Sequence, residues 1–191
     1  DLLNVLPEGA KFRPYTKCEI GKIRPVLFDG PNHRMRIVHA PTSRNIKGTK
    51  YIVATIDKLK KEGFDIDLIL VENKTNKEAM EIYKKADVII DQLLIGWYGG
   101  FAVECLALGK PVIAYLRETD LDYLPQGMRD DMPIINASPQ SLYATLRAIL
   151  EGKTDLREIS HDSVAYVNTW HSEKKIAASI IKDYEKALRR T

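Results

Sequence analysis

Residues 95–115 read IGWYGGFAVECLALGKPVIAY, and residues 86–94 just upstream read ADVIIDQLL. The upstream run is rich in branched side chains and predicts a β-strand. Gly99-Gly100 lets the backbone turn tightly out of that strand into a helix over 101–108, and Gly-Lys-Pro at 109–111 leads into another strand over 111–115. The first amides of a helix lack intrahelical partners and lie at the positive end of its dipole. A helix that opens on a glycine turn therefore predicts an anion site, here suited to a phosphate or diphosphate.

The same alternation of short apolar strands and amphipathic helices runs through the chain from Arg34 onward. Strands are expected at 36–40, 66–72, 88–92, 111–115 and 133–135, with helices at 47–62, 75–86, 101–108 and 140–151. Two further helices, 155–170 and 172–190, follow the last strand as a helical appendage. The expected fold class is α/β: a doubly wound parallel sheet, Rossmann-like, with extra C-terminal helices. Helix 47–62 places Ile52, Ile56 and Leu59 on one face and Lys58, Lys60 and Lys61 opposite, with Gly63 set to end it. Thr75 and Glu78 have capping-box spacing. Ser138-Pro139 reads as a cap followed by the first helical residue, with Leu142, Leu146 and Ile149 inward and Gly152 as the stop.

The length of 191 residues suits one domain, and the 45% hydrophobic content fills a core. Basic and acidic residues number 29 and 26, so no global field argues for nucleic acid or an anionic membrane, and anion recognition must be local. Cys18 and Cys105 are too far apart for a zinc knuckle or redox pair, which favours a reduced, cytoplasmic setting. Neither a membrane span nor a signal peptide is present in the sequence. His39, His161 and His171 have no partners at metal or triad spacing and His33 falls in a loop, so structural roles are expected and no metal site is assigned. Residues 73–75 and 136–138 match the glycosylation acceptor pattern without a secretory context. Neither a P-loop nor G-x-G-x-x-G occurs, which disfavours an NTPase or a dinucleotide-dependent dehydrogenase.

Ligands of doubly wound sheets bind outside the carboxyl ends of the strands, so the loops after Ala40, Glu72, Gln92 and Tyr115 are expected to share one crevice. Arg44 and Lys47 follow the first strand. Taken alone both read as solvated loop cations, whereas with the glycine turn on the same rim they read as a guanidinium fork and a point charge for a diphosphate. Glu104 stands among Ala102, Val103, Leu106 and Ala107; its carboxylate either accepts bonds from sugar hydroxyls or compensates the helix dipole. Asp91 and Gln92 either touch a ligand or bond neighbouring loop amides. Glu72-Asn73 either reads a base edge or makes a turn.

These residues resemble the carboxyl-terminal, nucleotide-sugar-binding half of the GT-B glycosyltransferases, most like the family 4, or group 1, retaining enzymes. The resemblance lies in IVHAP at 37–41 with Lys47-Gly48-Thr49, EAMEIYKKADVIIDQ at 78–92, GWYGGFAVECLALGKPVIA at 96–114, and YVNTWHSEKKIA at 166–177. Residues 1–15 are similar to the connector between the two halves. The resemblance implies a connector over 1–25, a donor domain over 26–170, and a helix over 171–191 that crosses to a missing N-terminal domain. It implies a transferase that takes a nucleoside diphosphate sugar as substrate, retains configuration and needs no cofactor. Any peripheral membrane contact is expected through the missing domain alone.

Carried over, Gly99, Gly100 and Lys47 are implied at the diphosphate, with Glu104 at the ribose. Arg44 and Lys47 are the expected catalytic residues, and Phe101, Ala102, Glu72, Asn73 and Gln92 complete the expected donor-binding set. The chain departs from the pattern at two positions. Gly96 stands where the family has its first glutamate, and Thr42 where it has an arginine. The alternatives are a nucleotide-sugar-binding or scaffolding module with impaired chemistry and, ranked last, half of a nucleotide-sugar epimerase.

Overall fold

The computed structural model describes residues 10, 12–17, 19–30 and 34–189. Cys18, His33, most of the 1–11 part of the proposed connector and the end of the last helix at 190–191 lie outside the described residues. The five strands are β1 (Met35–His39), β2 (Ile66–Leu70), β3 (Val88–Ile90), β4 (Val112–Ala114) and β5 (Ile135–Asn136). They form one parallel sheet in the order β2-β1-β3-β4-β5. β1 is flanked by β2 on one side and β3 on the other, so the winding reverses between β1 and β3. That reversal opens a crevice at the carboxyl ends of these two strands.

The helices are α1 (Arg44–Lys47), α2 (Thr49–Lys61), α3 (Asn76–Tyr83), α4 (Gly100–Ala107), α5 (Glu118–Leu121), α6 (Gln126–Asp130), α7 (Leu142–Leu150), α8 (Leu156–Trp170) and α9 (Glu173–Leu188). The two-residue period of the strands separates the core into two layers. Ile37, Val88, Ile90 and Ile113 face α2 and α7, where Ile52, Ile56, Leu59, Leu142, Leu146 and Ile149 cover them. Val38, Ile89, Val112 and Ala114 face the opposite layer, which contains Val103 and Leu106 of α4 with Tyr166 and Val167 of α8. Burial of both faces explains why these strands read as continuous apolar runs.

The expected capping box is present: Thr75 Oγ1 accepts from the Glu78 amide, and Glu78 accepts from the Thr75 amide. Gly63 and Gly152 both take left-handed conformations just past α2 and α7. Four expectations are corrected. The helix expected over 47–62 is broken at Gly48, whose φ of 79° ends α1 and starts α2, and the Lys47 carbonyl there accepts from the Leu93 amide. The helix expected from 140 begins at Leu142, because the Ser138 carbonyl first closes a turn with the amides of Ser141 and Leu142. The fifth strand sits at Ile135–Asn136, not at 133–135. Its Asn136 side chain bonds both the amide and the carbonyl of Leu116, which fixes that register.

Finally, α8 is no appendage. Its Ser160, Ser163, Tyr166 and Val167 are buried, and Ser160 Oγ donates to the Gly109 carbonyl at the end of α4. Among the described helices α9 alone has no buried residue.

Candidate functional site

The crevice at the β1/β3 reversal is built on a buried ion pair. Lys47 Nζ lies 2.5 Å from Asp91 Oδ1, with Lys47 8% and Asp91 0% exposed. The second carboxylate oxygen of Asp91 accepts the Gly99 amide at 2.7 Å. One aspartate at the mouth of β3 thus joins the α1–α2 loop to the glycine turn. Gly99 is the N-cap of α4. Among the described residues no protein acceptor takes the amides of Gly100, Phe101 and Ala102, so these three are the donors available to an anion. Gly99 itself is committed to Asp91. The Phe101 ring lies 5.5 Å from the Lys47 ammonium and 4.9 Å from the Tyr83 ring.

Tyr83 also lines a cleft of about 440 Å³ between the loops that follow β1 and β2, with Ala40, Pro41, Thr42, Glu72 and Asn73. Arg44 stands on that rim and grips Glu72 with two bonds, Nε to Oε1 at 2.9 Å and Nη2 to Oε2 at 2.5 Å. The pair is exposed, and Arg44 holds the Glu72 carboxyl below its ordinary range. Asn73 adopts a left-handed conformation at φ 54°, so Glu72-Asn73 makes the turn that shapes the cleft wall. Glu104, one turn into α4, is only 9% exposed and accepts a bond from Asn76 Nδ2 at 3.1 Å.

Of the alternatives left open by the sequence, Asp91 and Gln92 both bond loop groups. The Gln92 side-chain amide donates to the Trp97 carbonyl and braces the loop into Gly99. His39 is structural as expected. Its Nδ1–H donates to the Ile90 carbonyl, which leaves Nε2 to accept the Thr49 hydroxyl, at 2.8 and 2.9 Å. Burial, aided by Lys47, pushes its pKa below the ordinary histidine value.

Gly96 is held at φ 90°, and a Cβ there would fall 3.1 Å from Arg117. The Arg117 amide donates to the Gly96 carbonyl at 2.8 Å, and its guanidinium reaches the Ile95 carbonyl. The position where the family resemblance implies a glutamate is therefore shaped for glycine.

Sequence reasoning missed the segment from Phe12 to Lys17, which runs beside the glycine turn. Phe12 meets Trp97 edge-on at 6.2 Å, and the Tyr15 hydroxyl donates to the Tyr98 carbonyl. The Lys17 stem lies against Gly100. His171 donates through Nδ1 to the Tyr15 carbonyl and accepts the Tyr98 hydroxyl at Nε2, while Tyr166 donates to the Tyr98 oxygen. Only spacings of 68 to 156 residues connect these partners, so no local signal announces them.

Among the described residues no group of three or more His, Cys, Asp or Glu side chains is arranged to hold a metal ion. No described helix is long and apolar enough to cross a membrane.

No protein-family model and no curated protein matches this sequence. Solved structures do match. A sucrose-phosphate synthase from Thermosynechococcus elongatus superposes with a TM-score of 0.62 at 16% identity, over 92% of this chain and 52% of that one. A chain of the GtfA/B complex superposes with a TM-score of 0.57 at 12% identity, over 88% of this chain and 39% of that one. The chain thus spans about half the length, or less, of the structures it matches, and at these identities the likeness is one of fold.

Proposed function

We propose that this chain, which has the fold of the carboxyl-terminal half of a GT-B glycosyltransferase, binds the nucleoside diphosphate sugar in a glycosyl transfer. The observation that carries this reading is the array at the strand reversal. Three amides of Gly100, Phe101 and Ala102 without a protein acceptor among the described residues open α4 beside the buried Lys47–Asp91 pair. The cleft at Glu72 and Asn73 adjoins it through Tyr83 and Phe101.

In such a reaction the bond from the anomeric carbon to the diphosphate oxygen breaks, and its electron pair stays on that oxygen. An acceptor hydroxyl forms the new bond to the anomeric carbon and loses its proton. Negative charge grows on the leaving diphosphate. Amides and a cation fixed beforehand stabilise that charge without reorganising, which is the largest single source of rate enhancement in many enzymes. Lys47 is fixed in this sense by Asp91 and by its carbonyl bond to Leu93, and Arg44 stands further out on the rim. Glu104 is the acid assigned to the ribose. Configuration at the anomeric carbon is retained, and the acceptor is held by a further domain outside this chain.

Gly96 favours a second reading. Because Arg117 fills the space beside it, the donor-sugar contact of the family is replaced, and the chain is then a nucleotide-sugar-binding module with weak or no transfer of its own. Calorimetry with UDP, GDP and ADP sugars, and with the matching nucleosides, tests the proposal. One nucleoside diphosphate sugar is expected to bind while its nucleoside does not. Glu104→Gln is expected to weaken binding by about 1–3 kcal/mol, the scale of a charge-assisted bond. Failure of every diphosphate to bind would overturn the proposal.

A further inference from the structure

Gly100 poses a question that its backbone does not answer. It is the first residue of α4 and is absent from the glycines with positive φ, so no left-handed conformation requires it. What a side chain there would meet is the stem of Lys17, which would have to move aside. A Cβ at Gly100 would lie 2.8, 3.0 and 3.1 Å from Cδ, Cγ and Cε of Lys17. Cβ atoms of a helix tilt toward its N-terminus, so the Lys17 stem passes on the side of the open amides, with its ammonium one bond beyond Cε.

The segment that delivers Lys17 is held in place. Tyr15 is bonded through its hydroxyl to the Tyr98 carbonyl and through its own carbonyl to His171 Nδ1, at 3.3 and 2.7 Å. Phe12 packs on Trp97. Arg44 is matched by Glu72 and Lys47 by Asp91, so each of these cations is already balanced by a carboxylate. Lys17 is exposed, and among the described residues no carboxylate pairs with it.

We propose that Lys17 is a diphosphate-binding residue, laid across Gly100 to add an uncompensated positive charge to the amides of α4. This rests on the nucleoside diphosphate reading above and extends it to a residue that lies 83 positions before the glycine it covers. The test is calorimetry of UDP, GDP and ADP, with inorganic pyrophosphate as competitor, on the wild-type chain and on Lys17→Ala and Lys17→Arg. For whichever nucleotide binds, Lys17→Ala is expected to weaken affinity about tenfold and to flatten its dependence on salt, while Lys17→Arg keeps most of both. Both substitutions are at an exposed side chain, and an unchanged melting temperature without ligand separates lost binding from lost folding.

Wild-type binding with unchanged or tighter binding by Lys17→Ala overturns the Lys17 assignment alone, and tighter binding marks the lysine as an obstruction. Absence of binding by the wild type overturns the Lys17 assignment together with the function on which it rests.

Discussion

Replacing Lys47 with methionine removes an ammonium but keeps an unbranched stem of similar length in its slot. The consequence falls on Asp91. Its side chain is 0% exposed and would be left with the Gly99 amide as its remaining partner among the described residues. At 2.5 Å and an effective dielectric of about 20, the gross attraction in the pair is about 7 kcal/mol. Desolvation of both ions offsets most of that in the intact protein, so the pair itself adds little net stability. Breaking it is different, since one buried charge then has nothing to balance it, at a cost of about 3–5 kcal/mol.

For a domain of this size each kcal/mol moves the melting temperature by about 2–4 °C, so Lys47→Met is expected to lower it by about 10 °C. The double variant Lys47→Met/Asp91→Asn is expected to recover most of the loss. Asparagine removes the stranded charge and still offers an oxygen to the Gly99 amide. Urea unfolding of the wild type, both single variants and the double variant gives the coupling energy. A loss below about 1 kcal/mol in Lys47→Met, or no recovery in the double variant, would refute the idea that this pair braces the site from within.

Three further outcomes follow from the same reasoning. Tyr98→Phe removes the donor to His171 Nε2 and the acceptor for Tyr166 together, and urea unfolding is expected to show a loss of about 1–3 kcal/mol. Gly96→Glu, which would restore the residue of the family pattern, is expected to destabilise the fold by more than about 1 kcal/mol and not to improve binding of a nucleotide sugar. The reasons are a φ of 90° and the Arg117 side chain at 3.1 Å; a stable variant with tighter binding would show that the loop can re-form. His39 and His171 both have pKa values lowered by burial, so the unfolded chain binds protons that the folded chain refuses. Their contribution to stability is complete above the ordinary histidine value near 6.5 and is lost as pH falls below it, with a limiting slope of about 1.4 kcal/mol per pH unit for each. Melting temperatures from pH 7.5 down to 5 are expected to fall, and His171→Gln is expected to shallow that fall.

Much of the fold was legible because its signals are local. Apolar runs at Val88–Ile90 and Val112–Ala114, the Thr75–Glu78 box and the stops at Gly63 and Gly152 each act within a few residues. Gly48 shows where local reading divides. A glycine inside a helical pattern is tolerated or terminal, and the bond from Leu93 to Lys47, 46 positions apart, settled it as a break.

The candidate site was legible in part. Asp91 joins Lys47 to the glycine turn, while Glu72 and Asn73 line the neighbouring cleft. What the sequence concealed was who pairs with whom: Arg44 and Lys47 are neutralised by Glu72 and Asp91, and Glu104 accepts a hydrogen bond from the Asn76 amide. Those pairings depend on sheet order and on side chains that meet only after the chain has wound. The strap at Phe12–Lys17 was hidden for the same reason, since its contacts with Trp97, Tyr98 and Gly100 carry no periodicity.

The central claim is that the open amides of α4 receive a diphosphate. Backbone amide shifts in nitrogen-15 NMR, recorded during titration with UDP, GDP or ADP, test it most directly. The account predicts that Gly100, Phe101 and Ala102 move furthest, with Lys47 and Asn73 following. Shifts confined to another face, such as the cleft lined by Asp130, Asp131 and Asp162, or no shift with any of the three nucleotides, would contradict it.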